Sequence, residues 1–66
     1  MRVKKGDAKK GQKLVYSDKG MISLLQPSNF TMMMFEIYSL DGNLFEDIER
    51  FDTEEQALAR CKELLD

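Results

Sequence analysis

The apolar and polar positions of this chain change period once. From Lys13 to Phe51 they fall into short extended segments that alternate or nearly alternate, and from Thr53 onward they fall on a helical stripe. Lys13–Ser17 is the first predicted strand, since Leu14, Val15 and Tyr16 favour extended backbone. Ser17-Asp18-Lys19-Gly20 then reads as a type I turn closed by a glycine in the left-handed region. Met21–Leu25 is the returning strand. Gln26-Pro27-Ser28-Asn29 breaks it, because proline lacks a ladder donor and pushes Gln26 out of helical geometry.

Thr31–Leu40 is the longest predicted strand. Alternation places Met33, Phe35 and Ile37 on one face and Met32, Met34, Tyr38 and Leu40 on the other, where Glu36 is the only charge. A strand that is apolar on both faces belongs to a sheet covered twice. Asp41-Gly42 is a tight-turn signal, since type I′ turns need positive φ at both central positions. Leu44–Phe51 returns with poorer alternation: Leu44 and Ile48 share a face, Phe45 and Phe51 take the other, and Glu46, Asp47 and Glu49 crowd between them. Either a bulge resets this strand or its acids mark a defended edge.

The helix begins at Thr53, with Gln56 three residues later as in a capping box. Glu54 and Glu55 stand in the first turn, where the helix dipole favours negative charge. Ala57, Leu58, Cys61, Leu64 and Leu65 form one apolar stripe, which needs a sheet face to dock on. The predicted fold is α+β: a small antiparallel sheet of two hairpins, three to four strands, with one C-terminal amphipathic helix on one face, β-β-β-β-α. Residues 13–66 make that single domain. Residues 1–12 are polar, hold Gly6 and Gly11, and read as a basic flexible arm or a loosely attached edge.

Composition narrows the chemistry. At 66 residues the core is small, and such domains lean on disulfides, a metal or a partner subunit. Cys61 is the only cysteine and histidine is absent, so an intrachain disulfide is excluded and a closed zinc site is not expected. No cofactor is expected either. The net charge of −2 hides a division: in residues 1–14 six cations against Asp7 leave +5, and in 15–66 four cations against eleven acids leave −7. No apolar run approaches the roughly 18 residues of a membrane span. With a lone cysteine and no apolar export segment, a cytoplasmic location is expected.

Catalysis is not expected. General acid–base and nucleophilic mechanisms draw most often on histidine, and Cys61 sits on the apolar stripe with nothing to form its thiolate. Asp41, Glu46, Asp47, Glu49 and Asp52 read as solvated surface charge, because a catalytic pair needs a cleft to drive two pKa values apart. Asp41-Gly42-Asn43 echoes the start of a calcium loop, but its glycine is misplaced and the distal glutamate is missing.

Two candidate surfaces remain. Met32, Met34, Tyr38 and Leu40 cannot be covered by a helix that sits on the other face of the same strand, and methionine is over-used at adaptable binding surfaces. A folded-back N-terminal arm or a curled sheet would cover them just as well. Arg2, Lys4, Lys5, Lys9, Lys10 and Lys13 could contact the phosphates of a nucleic acid, although only Tyr16 is near for stacking. The helix segment TEEQALARCKELL, following a hairpin, resembles the hairpin-plus-helix end of small HicB-like antitoxin domains and of many small α/β proteins. That likeness covers about half the chain, rests on a good cap and stripe, and transfers no functional residue. The expected function is a non-enzymatic protein-interaction module, a regulator or inhibitor that self-associates or docks a partner through an apolar sheet face; nucleic-acid binding through the basic arm is the alternative.

Overall fold

The computed structural model describes residues 1–7, 11–27, 34–40 and 44–66. Among these described residues five strands and one helix follow in order: β1 (Arg2–Lys5), β2 (Gln12–Ser17), β3 (Gly20–Leu25), β4 (Phe35–Ser39), β5 (Glu49–Phe51) and α1 (Glu54–Leu65). The sheet is an antiparallel meander in which spatial order equals chain order, with β1 and β5 at its edges. The α+β class and the single C-terminal helix are as expected; the sheet has one strand more.

The added strand is β1. Arg2 lies opposite Tyr16, Val3 opposite Val15, Lys4 opposite Leu14 and Lys5 opposite Lys13. It carries no apolar period because all four of its residues are exposed, and a strand that buries neither face needs none. The segment read as a flexible arm or a loosely attached edge thus holds an edge strand, with Gly6 N–H donating to the Gln12 carbonyl at 2.9 Å and Gln12 N–H to the Asp7 carbonyl at 3.1 Å. Gly11 takes φ 61°, the left-handed region that a side chain resists.

The β2–β3 hairpin closes through Asp18 and Lys19, with Ser17 opposite Gly20. Gly20 has φ 157°, far from the left-handed value expected of it, and joins the ladder instead of closing a bulge. Ser17 Oγ accepts from the Lys19 N–H at 3.1 Å and donates to the Leu65 carbonyl at 2.8 Å, so one hydroxyl braces the turn and tethers the last turn of α1.

The larger departure lies between β4 and β5. Phe35 pairs with Phe51 and Ile37 with Glu49, a register incompatible with a two-residue turn at Asp41-Gly42, which would set Ile37 opposite Glu46. Residues 41–43 lie outside the described residues. The predicted strand Leu44–Phe51 keeps only Glu49–Phe51. Leu44 and Phe45, adjacent in sequence, both pack against the core, which no alternating strand allows; Ile48 is left exposed.

Helix α1 starts as its sequence predicts. Thr53 is extended (φ −129°, ψ 155°) and its side chain accepts from the Gln56 N–H at 3.2 Å. Gln56 returns the bond one residue further out than a capping box, accepting from the Asp52 N–H at 3.2 Å. The helix buries Ala57, Cys61 and Leu65 against Val15, Ile22, Leu24 and Ile37, with Phe35, Leu44, Phe45, Phe51, Leu58 and Leu64 packed around them. No helix of the described residues is long and apolar enough to cross a membrane.

Candidate functional site: the sheet face away from the helix

Strand alternation and the register sort every side chain by face. Val3 and Lys5, Lys13, Val15 and Ser17, Ile22 and Leu24, Phe35 and Ile37, and Glu49 and Phe51 point to the helix side. The opposite side forms three rows across the strands. One carries Arg2, Tyr16 and Met21, the next Lys4, Leu14, Ser23 and Tyr38, and the third Gln12, Leu25, Glu36 and Arg50. Among the described residues no strand or helix packs on this face.

The face is apolar at its centre and charged at its two edges. Leu14, Tyr16, Leu25 and Tyr38 are half-buried, and Met21 is exposed. Leu40 follows β4 with its N–H on the Met21 carbonyl at 3.0 Å, and its side chain is exposed. Ser23 is the exception, a fully buried hydroxyl on this side, and it accepts from Gln12 Nε2 at 2.6 Å. A polar group hidden from water needs such a partner. At the β5 edge Arg50 Nε donates to Glu36 Oε2 at 2.7 Å, directly across the strand pair.

The structure divides both predicted sets. Of the partner-binding candidates, Tyr38 stands in the middle row and Leu40 beside Met21. Met34 lies in the bend before β4 and lines a shallow depression at the β5 edge with Phe51, Gln56 and Arg60. Met32 lies outside the described residues. Leu14, Tyr16, Met21 and Leu25 join the face although they had not been selected. Their signal was present in the alternation about Val15 and about Ile22 and Leu24, but it stays silent about faces until the strands are known to share one sheet.

The described basic candidates fall on both faces of the sheet. Arg2 and Lys4 stand at the β1 margin of the open face. Lys5 and Lys13 are neighbours on the helix side, where Lys13 is ion-paired with Glu54. Lys9 and Lys10 lie outside the described residues. The N-terminal segment Arg2–Lys5 does not cover the open face; it extends the sheet sideways.

Elsewhere the titratable groups are buried, ion-paired or exposed. Cys61 is buried, and desolvation pushes its thiol up to about 11, away from any reactive thiolate. Glu46, Asp47 and Asp52 are exposed, whereas Glu49 accepts from Arg60 Nε at 2.9 Å; Asp41 is outside the described residues. That bond, followed by one to Glu63, raises the Arg60 pKa further. Among the described residues no three Asp, Glu or Cys side chains gather as a metal site. Compared with models of protein families, with curated proteins and with solved structures, the chain matches none of them.

Proposed function

We propose that this protein is a non-enzymatic interaction module that docks a protein partner through the sheet face away from α1. The observation that carries this reading is the placement of Leu14, Tyr16, Met21, Leu25, Tyr38 and Leu40 on or beside one face, with α1 on the other. Tyrosine supports it chemically, since it offers a large rigid contact area with a polar tip at low entropic cost. The buried, proton-retaining Cys61 and the absence of histidine support a binding role over catalysis, and the lone reduced cysteine supports a cytoplasmic setting.

A photo-cross-linking residue placed at Tyr38 tests the reading in cells that express the protein. We expect protein adducts from position 38 and none from the same group at exposed Glu55 on the helix. Adducts shared equally by both positions, or none from position 38, would overturn it.

Nucleic-acid binding is the second reading, with Arg2 and Lys4 as its cations. Arg2 and Lys4 border the same face as Tyr16 and Tyr38, which pairs phosphate-binding cations with stacking surfaces. It predicts retardation of single-stranded DNA or RNA at low salt, abolished by Arg2→Glu with Lys4→Glu. The acids of the rest of the chain oppose it, so the protein-docking reading ranks first.

A further inference from the structure

Two apolar residues face solvent at opposite edges of the sheet, and among the described residues none covers either. Val3, in the middle of edge strand β1, is 50% exposed; Ile48, just before edge strand β5, is 46% exposed. Each is framed by charge of one sign. Val3 sits among Arg2, Lys4 and Lys5, all exposed, and Ile48 follows exposed Glu46 and Asp47. Read antiparallel, Val3 meets Ile48, Lys4 meets Asp47 and Lys5 meets Glu46, while Glu49, opposite Arg2, is already held by Arg60.

We infer that the β1 edge of one copy receives the 46–48 segment of a second copy, head to tail. A chain cannot satisfy itself, because its own two edges are separated by β2, β3 and β4. The symmetric pairings fail on charge: β1 against β1 gathers six cations, and 46–48 against itself gathers four acids. Only the heterologous contact joins opposite signs, and such contacts propagate instead of closing as a dimer. Lysines on an edge strand guard against other exposed strands, but they attract an acidic one. Glu46 and Asp47 lie in bends, so the contact rests on side-chain complementarity and not on a continued ladder. With two apolar side chains and a handful of exposed charges, it falls well below a standard interface and is weak and salt-sensitive. It uses the edges of the sheet and holds whatever the open face binds.

Sedimentation equilibrium over a concentration series tests this on the full chain. We expect the average mass to rise above the monomer at low salt and to return to it as salt is added. Lys4→Glu with Lys5→Glu makes both edges acidic, and Glu46→Lys with Asp47→Lys makes both basic. All four side chains are exposed, and circular dichroism of each double variant checks that it folds. Each variant alone should associate about tenfold more weakly, equivalent to roughly 1.4 kcal/mol, and an equimolar mixture of the two should regain the wild-type association. A wild-type chain that stays monomeric throughout, association as strong as the wild type's in either variant alone, or a mixture that fails to recover would overturn the inference. So would association that resists salt or that is lost on Tyr38→Asp but not in the charge variants, since the contact would then be the open face.

Discussion

Gln12 Nε2 donates to Ser23 Oγ at 2.6 Å, joining β2 to β3 on the side of the sheet away from the helix. Ser23 is fully buried, and Gln12 also accepts the Asp7 N–H at 3.3 Å, so one amide fastens the β1–β2 connection to the middle of the sheet. Gln12→Ala leaves the hydroxyl without its amide partner and should destabilise by about 1–3 kcal/mol. Ser23→Ala should cost less, because it removes the group that needs a partner. A double-mutant cycle read by urea melts should show a coupling of about 1 kcal/mol; additive effects would mean the bond contributes nothing.

Cys61 gives the fold a pH limit. Burial raises its pKa from 9.0 to about 11, so the folded chain holds a proton that the unfolded chain releases. Below pH 9 both states are protonated and stability is unaffected. Between 9 and about 11 only the unfolded chain ionises, so stability falls with rising pH, by on the order of 2 kcal/mol across the window. Cys61→Ala should remove that share of the alkaline decline, measured as the difference between the two proteins' melting curves. An identical decline in both would show that the thiol does not contribute.

The helix start is a separate test. Thr53→Ala deletes the acceptor of the Gln56 N–H and should cost about 1 kcal/mol by thermal or denaturant melting. Thr53→Ser should retain most of the stability. Gln56→Ala should cost less than Thr53→Ala, since its side chain caps an exposed N–H at Asp52.

The two isoleucines should behave oppositely. Ile37 is fully buried in the core, and Ile37→Ala should cost about 2–5 kcal/mol, a large share of what a domain this small holds. Ile48 is 46% exposed, and Ile48→Ala should leave the melt of the dilute, monomeric protein within about 0.5 kcal/mol of the wild type. Comparable losses at both would mean that residues 44–48 pack as the alternating strand their sequence suggests.

That contrast marks where the sequence was legible. The helix could be read because its cap and stripe are both local: Thr53, Gln56 and the spacing of Ala57, Cys61 and Leu65 lie within one element. Strands β2, β3 and β4 could be read as strands from their extended-favouring residues, but only for β4 did the alternation about Phe35 and Ile37 give the faces. Strand β1 could not, since an exposed edge writes no apolar pattern. The stretch after β4 misled for the converse reason: Leu44 and Phe45 are apolar because both reach the core from irregular backbone, and no period records that. Of the candidate site, Tyr38 and Leu40 were visible in β4 alone, while Leu14, Tyr16, Met21 and Leu25 needed the register of three strands.

Because strand order follows chain order, each strand of this sheet finds its neighbour directly behind it in the chain, and pairings of this kind close short loops. Among the described residues, the one helix that covers the core comes last. During synthesis the meander is therefore complete while Val15, Ile22, Leu24 and Ile37 still wait for Ala57, Cys61 and Leu65. A chain halted before Thr53 would be a finished sheet with an uncovered apolar side, which makes aggregation of truncated products the characteristic failure of this design.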